Sequence, residues 1–171
     1  MNTEKFYRHL WDDYTAFNPQ ALKIHRLLTE EGEDILNVHV AFRTFNVTPV
    51  SLKELQPLLE KINYKEFGPY SFEEKKLNAI GYINKNPFQP RVFLSELRVE
   101  ELSKKAQKII HGLCADINKP DSQELEFLYT DRPWHMPTWK QYQCLLAESE
   151  YAAWLSVMGY RANHFTISIN S

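Results

Sequence analysis

Two segments constrain this chain more than any other feature, because both alternate as β-strands do and both carry polar residues along one face. Successive side chains of a strand point to opposite sides of a sheet. In the segment 36–45, His39 and Arg43 therefore share one face, and mostly apolar side chains occupy the other. In the segment 162–170, one face is polar from His164 onward. Its other polar members are Thr166, Ser168 and Asn170. A sheet with such a face either turns it to solvent or uses it to line a site.

The composition excludes several classes of protein. With 171 residues, of which 43% are hydrophobic, the chain is long enough for one globular domain with a substantial core. Its net charge of -2 gives no sign of a nucleic-acid or anionic-membrane partner. No apolar run approaches the length of a membrane span, and the charged N-terminus does not resemble a secretory signal. We therefore expect a cytoplasmic protein.

The order of the predicted elements gives an α+β fold in a single domain, 1–171. Apolar residues at helical spacing predict helices in 1–35, and 36–100 is predicted to form a strand–helix–strand–strand–strand (βαβββ) module. A helical insert follows at 101–160. The remaining segment, 161–171, is predicted to be the first strand of an incomplete second module.

Capping signals refine two of the predicted helices. Ser51 and Glu54 have the spacing of a capping box, which predicts a helix beginning there, and Pro57 inside it suggests a kink or a later start. The apolar pattern over 138–158 predicts one long amphipathic helix that ends at Gly159. The module's later strands are predicted around 64–70, around 75–83 and over 91–99.

The two strand histidines are candidate metal ligands. Imidazole is the commonest protein ligand for divalent transition metals, and two histidines with one carboxylate form the facial triad of non-haem Fe(II) oxygenases. Taken alone, either His39 or His164 is more simply a hydrogen-bonded strand residue. If the two strands are neighbours, however, both rings can point into one hollow.

Arg43 and Glu96 are further candidates. Arg43 lies four residues beyond His39 on the same face, so its Cα is roughly 13 Å further along the strand. Its guanidinium could hold a carboxylate of a small organic acid, or instead form a salt bridge with Glu96 or another acid across the sheet. Glu96 could be a third metal ligand, although a carboxylate on a half-exposed strand is more often solvated or paired.

Four segments together resemble the 2-oxoadipate dioxygenase/decarboxylase family, which is related to the vicinal oxygen chelate (glyoxalase-like) superfamily. They are His39–Phe45, Phe93–Glu101, Leu146–Trp154 and Gly159–Thr166, and the last two are the most specific. The resemblance spans essentially the whole chain and corresponds to the N-terminal part of a family member.

The resemblance implies an Fe(II) enzyme that converts 2-oxoadipate, a small 2-oxo dicarboxylic acid, to 2-hydroxyglutarate and CO2 in lysine catabolism. It also implies that His39 and His164 bind the metal and that Arg43 contacts the substrate. The family's third ligand is a glutamate on a strand of the second module, which would lie beyond Ser171. The resemblance therefore leaves this chain with two of the three ligands.

Two alternatives stay open at this stage. One is a glyoxalase-like hydrolase, lyase or isomerase in which Zn or Ni acts as a Lewis acid, with Glu96 as a ligand. The other is a non-catalytic fragment that binds a small acid or an identical chain, because an exposed strand edge recruits partners.

Overall fold

The structure is a computed structural model that describes residues 3–33, 35–118 and 124–168. Within these residues the α-helices are α1 (Thr3–Phe17), α2 (Pro19–Glu30), α3 (Leu52–Glu60), α4 (Lys104–Cys114), α5 (Trp139–Leu146) and α6 (Glu150–Met158). The strands are β1 (Leu36–Phe45), β2 (Tyr64–Phe72), β3 (Leu77–Asn84), β4 (Arg91–Leu97) and β5 (His164–Ser168).

The predicted βαβββ module is confirmed as β1, α3, β2, β3 and β4. The five strands form one sheet in the order β2-β3-β4-β1-β5. β1 runs parallel to β4 and antiparallel to β5, so the last strand lies directly beside the first. The α+β class is thereby confirmed, and the topology brings the two polar-faced strands of the sequence together.

One face of the sheet is packed into the core. Val40 and Phe42 of β1 and Leu94 of β4 are at most 1% exposed, and they point to the same side as the buried residues of α3. Phe6 of α1 packs against Phe42, with ring centroids 6.4 Å apart. The apolar half of the strand alternation therefore anchors the helices, which leaves the polar half for the other side.

The helix α3 begins where its capping signals predict. Both reciprocal contacts of the Ser51–Glu54 capping box are present, and the helix starts at Leu52 with Pro57 inside it. Of the two possibilities that Pro57 raised, a kink or a later start, the later start therefore does not occur. Buried leucines hold this helix against the sheet, and they are Leu52, Leu55, Leu58 and Leu59.

The prediction of one long helix over 138–158 was wrong. The segment forms two helices, Trp139–Leu146 and Glu150–Met158. The side chain of Ser149 accepts a hydrogen bond from the N–H of Ala152 at 3.1 Å, which caps a new helix within an otherwise continuous apolar pattern. The predicted end is confirmed, because Gly159 has a φ of +69°, which favours glycine.

The ends of the other elements differ modestly from their predicted bounds. The last strand was predicted over 162–170, and its described part is His164–Ser168; Asn170 lies outside the described residues. Among the described residues, no helix has both the length and the apolar character that crossing a lipid bilayer requires.

Candidate metal centre and substrate pocket

His39 and His164 meet on one face of the sheet. The pairing of β1 with β5 sets His39 opposite Thr166 and Ala41 opposite His164. The two histidines are therefore diagonal neighbours, a position from which long side chains on one face touch. The Nε2 atoms of the two rings lie 3.1 Å apart, with the ring planes nearly perpendicular at 83°. The structure thus brings together two residues that are 125 positions apart in sequence.

The surroundings favour neutral imidazoles. Partial burial lowers the pKa of His39, and the positive charge of Arg91 lowers it further. Burial also lowers the pKa of His164, with His39 and then Arg43 as further causes. Because only the neutral ring offers a lone pair to a metal ion, these shifts keep both side chains competent as ligands at neutral pH.

Arg43 lies on the same face, held by aromatic rings. Its guanidinium carbon is 4.9 Å from the centroid of the Tyr151 ring and 4.7 Å from that of the Trp154 ring. Tyr151 is itself fixed, because its hydroxyl donates to the Ser95 carbonyl at 2.6 Å and accepts from the Thr44 N–H at 2.9 Å. Two residues of α6 therefore orient the arginine without neutralising it.

The salt bridge considered for Arg43 does not form. Within the part of the chain that the structure describes, no carboxylate is ion-paired with this guanidinium. Burial lowers the pKa of Arg43, so the group is a partly desolvated cation facing a pocket. Such a cation is suited to binding a carboxylate bidentately.

The pocket beside Arg43 has a volume of about 440 Å³. Its lining includes His164, Asn163 and Ala41, with Ser149 and Glu150 from the start of α6. Ala41 lies between His39 and Arg43 on the strand face, and its methyl group leaves room for a bound molecule. The pocket therefore connects His164, one member of the histidine pair, with the arginine.

The structure does not bring Glu96 to the histidines. In the parallel pairing of β1 with β4, Arg43 lies beside Ser95 and Thr44 beside Glu96, so Glu96 points to the opposite side of the sheet. There its carboxylate accepts the Leu52 N–H at 2.8 Å, at the first turn of α3. Its role in this structure is to bind the start of a helix, where negative charge is favourable.

No third ligand joins the histidine pair among the residues described. In residues 3–33, 35–118 and 124–168, no group of three or more His, Cys, Asp or Glu side chains could hold a metal ion. The hydroxyl Oγ1 of Thr166 lies 3.0 Å from Nε2 of His39, within hydrogen-bond distance of that ring. The described residues thus supply two imidazoles and leave the other coordination positions open.

The sequence interpretation missed the residues that support this site. Tyr151 and Trp154 hold Arg43 between their rings. The side-chain Nδ2 of Asn163 lies 2.8 Å from Nδ1 of His164. A signal existed for the aromatic pair, because residues three apart on a helix share a face. Which strand residue that face meets is a property of the tertiary fold.

The fold and the site define a glyoxalase-like α+β protein with a two-histidine candidate metal centre beside an arginine-bearing pocket. Residues 5–126 match the family described as 2-oxoadipate dioxygenase/decarboxylase, so the chain belongs to that family. The resemblance inferred from the sequence is thereby confirmed.

Individual relatives agree with this assignment. The chain is 35% identical over 167 residues to the 2-oxoadipate dioxygenase/decarboxylase of Oryza sativa subsp. japonica, covering 91% of this chain and 46% of that protein. It is 29% identical over 184 residues to the Arabidopsis thaliana protein, covering 98% of this chain and 50% of that one. The name of the rice protein places it in the chloroplast or amyloplast, and the name of the Arabidopsis protein places that one in the chloroplast. The chain therefore spans about half the length of the curated relatives that it matches.

Solved structures share the fold. A candidate hydrolase from Shewanella frigidimarina NCIMB 400 matches with a TM-score of 0.92 and 46% identity, covering 98% of this chain and 65% of that one. The hydroxyglutarate synthase of Oryza sativa, solved in complex with 2-oxoadipate, matches with a TM-score of 0.84 and 31% identity, covering 98% and 58% respectively. A candidate glyoxalase-superfamily protein from Ralstonia eutropha JMP134 shares the fold at 21% identity, with a TM-score of 0.69, over 87% of this chain and 56% of that one.

Proposed function

We propose that this chain forms the metal- and substrate-binding part of an Fe(II)-dependent dioxygenase/decarboxylase that converts a 2-oxo acid to a 2-hydroxy acid and CO2. His39 and His164 would hold the metal, and Arg43 would bind a carboxylate of the substrate. The observation that carries this proposal is the convergence of two Nε2 atoms to 3.1 Å beside a pocket lined by Arg43, which forms no ion pair with a carboxylate of the described residues.

The histidine pair fits a single transition-metal ion. Two imidazole nitrogens bound about 2.1 Å from one ion at a right angle are about 3.0 Å apart. The observed separation of 3.1 Å therefore needs little rearrangement. Two neutral nitrogen ligands suit Fe(II), which is the metal that the family resemblance implies, and they also suit Zn or Ni.

A bound ion would supply Lewis-acid polarisation of the 2-oxo group and the redox chemistry of oxidative decarboxylation. The protein's own contribution is to bind and orient the substrate. Arg43 is held by two aromatic rings before the substrate arrives, so forming two parallel N–H···O bonds to a carboxylate costs little side-chain entropy. Ala41 keeps the strand face open between arginine and histidine.

The comparisons support the choice of substrate class. The Oryza sativa hydroxyglutarate synthase was solved with 2-oxoadipate bound, and this chain covers 58% of it at 31% identity. A 2-oxo dicarboxylic acid combines a group that can chelate an ion with carboxylates that an arginine can hold. The pocket of about 440 Å³ is large enough for a six-carbon acid.

A ligand comparison tests this proposal sharply. 2-Oxoadipate and adipate have the same length and both carboxylates, but adipate lacks the 2-oxo group that chelates. We expect calorimetric titration of anaerobic, Fe(II)-loaded protein to show 2-oxoadipate binding about tenfold or more tightly than adipate, and metal-free protein to show no such preference. If metal loading leaves the preference unchanged, the substrate does not reach the metal. Admitting oxygen would then test for oxygen uptake matched by CO2 release.

A second candidate function is a metal-dependent hydrolase, lyase or isomerase that uses Zn or Ni. It is favoured by the match to the Shewanella frigidimarina protein, whose description is that of a hydrolase, at 46% identity. Such chemistry needs Lewis-acid catalysis but no oxygen. Turnover of a substrate under anaerobic conditions by Zn-loaded protein would favour it over the oxygenase.

Association with another chain is a further part of the proposal. β2 and β5 are the edge strands of the sheet, and unpaired strand edges recruit partners. A second copy or another polypeptide at the β5 edge would lie close to His164. Light scattering at several protein concentrations would detect self-association, and a monomer throughout would contradict it. A cytoplasmic location and the absence of a nucleic-acid partner stay predictions from the sequence.

A further inference from the structure

Asn163 contacts the ring nitrogen of His164 that faces away from His39. Its backbone N–H donates to the carbonyl of Ala41 at 2.8 Å, which fixes the residue at the start of β5. Its side-chain Nδ2 lies 2.8 Å from Nδ1 of His164, while Nε2 of the same ring faces His39. Both nitrogens of this imidazole therefore have protein partners, and the two contacts determine which nitrogen carries the proton.

The orientation of the amide decides which tautomer His164 adopts. An amide nitrogen only donates, so with Nδ2 toward the ring, Nδ1 accepts and the proton resides on Nε2. In that tautomer the Nε2–H of His164 can donate to Nε2 of His39. Because Nε2 of His164 is protonated, it has no lone pair with which to bind a metal ion. A half-turn of the amide places Oδ1 at the same point, where it accepts Nδ1–H and leaves the Nε2 lone pair free.

We propose that Asn163 is a positioning residue that selects the tautomer of His164, with its amide nitrogen toward the ring in the metal-free protein and its amide oxygen toward the ring when metal binds. This inference rests on the proposed metal site. The change is proton-neutral, because Nε2 releases one proton to solvent as Nδ1 takes one up. Asparagine is suited to both states, since its two ends have nearly the same shape but opposite hydrogen-bonding roles.

The other contact of the pair does not select a tautomer. Thr166 Oγ1 lies 3.0 Å from Nε2 of His39, but a hydroxyl both donates and accepts and turns to suit its partner. The main chain of Asn163 is held by its N–H bond to the Ala41 carbonyl, and in either orientation its side-chain amide offers the ring a single hydrogen-bonding role. Of these two contacts, we therefore expect that of Asn163 to determine whether Nε2 of His164 is free to bind a metal ion.

Two substitutions at this position separate the roles of the amide. In Asn163→Asp the carboxylate can only accept a hydrogen bond, so it favours the His164 tautomer that is protonated on Nδ1. The leucine of Asn163→Leu has a similar size to asparagine but forms no hydrogen bond with the ring. Ser168→Asp places the same charge on the polar face of β5 away from Nδ1 and controls for general attraction of cations. The measurements are Zn²⁺ affinity by competition with a chelating dye, and ¹H–¹⁵N imidazole spectra of the metal-free proteins.

We expect Asn163→Asp to bind Zn²⁺ about tenfold more tightly than wild type, and Asn163→Leu about tenfold more weakly. The spectra should show His164 as the Nε2–H tautomer in wild type and as Nδ1–H in Asn163→Asp. Equal Zn²⁺ affinity in the two variants, a gain in Ser168→Asp as large as in Asn163→Asp, or an unchanged tautomer would overturn the inference. If wild type itself binds no Zn²⁺, the proposed metal site fails as well, so the two failures are distinguishable.

Discussion

The two faces of the central sheet use alternate residues of the same strands, yet they differ in nearly every physical property. On one face Val40, Phe42 and Leu94 are almost fully buried against helices. On the other, His39 and Arg43 are half-buried, and Arg43 borders an open pocket together with His164. The first face holds the fold together and the second is free for chemistry. Stability and function should therefore respond separately to substitutions only one residue apart.

Truncation on the packed face is expected to have the largest effect on stability. Phe42→Ala would leave a cavity where a ring is 1% exposed, which should lower the free energy of unfolding by about 3–5 kcal/mol. His39→Ala, three positions earlier on the other face, should lower it by less than about 1 kcal/mol. Denaturant unfolding checks both values. Similar losses of unfolding free energy in the two variants would mean that both faces contribute equally to stability, which contradicts this division of roles.

Substitutions of the two histidines should have a small effect on stability but a large effect on metal affinity. His39→Ala or His164→Ala removes one of two protein ligands, so each should weaken Fe(II) or Zn²⁺ binding by about 100-fold or more. His111→Ala on the exposed surface of α4 is the matched control and should leave the affinity unchanged. Dialysis followed by elemental analysis provides the measurement. Wild-type affinity in either strand variant would refute the ligand assignment.

Arg43→Lys keeps the positive charge but loses the planar, bidentate donor and its fit between two rings. We expect the affinity of metal-loaded protein for 2-oxoadipate to fall about 10- to 30-fold, with little change in metal affinity. Calorimetric titration separates the two quantities. Unchanged binding of 2-oxoadipate would show that Arg43 does not hold the substrate.

The aromatic support of Arg43 should give a smaller effect. Trp154→Leu removes one ring face from the guanidinium, which is worth about 1 kcal/mol and thus about a fivefold loss of 2-oxoadipate affinity. Trp154→Phe keeps an aromatic face and should recover most of that loss. Equal affinities in these two variants would indicate that packing, rather than the cation–π contact, explains the effect.

The lowered histidine pKa values predict the smallest effect, a dependence of stability on pH. An unfolded histidine takes up its proton near its ordinary pKa of about 6.5, whereas folded His39 and His164 do so at lower pH. The unfolded state binds more protons in that interval, so stability is fully present above about pH 6.5 and declines as the pH falls below it. Denaturant unfolding of metal-free wild type and of His39→Ala at several pH values tests this. The decline should be shallower in the variant, and identical slopes would contradict it.

The sequence predicts the fold better than it predicts the surroundings of the site. β1 has the predicted bounds because its alternation is unbroken, and the Ser51–Glu54 capping box is a purely local signal. The break at Ser149 was missed because the apolar pattern continues across it. A cap of this kind depends on whether the backbone there needs a hydrogen-bond acceptor, which periodicity does not reveal.

Glu96 shows a second limit of the sequence. Which of two alternating sets in β4 faces the same side as His39 depends on the register between strands, and a shift by one residue exchanges the faces. The observed register sets Ser95 beside Arg43 and turns Glu96 away. His39 and Arg43 share a face because the alternation within β1 fixes their side, whereas His164 joins that face through the register of β5 against β1, which sets it opposite Ala41.

Diffraction from crystals grown with Zn²⁺, recorded at the zinc absorption edge, tests the central claim most directly. We predict a single anomalous peak about 2.1 Å from Nε2 of both His39 and His164. A peak elsewhere in the molecule, with the two rings still hydrogen-bonded to each other, would contradict the proposed metal centre.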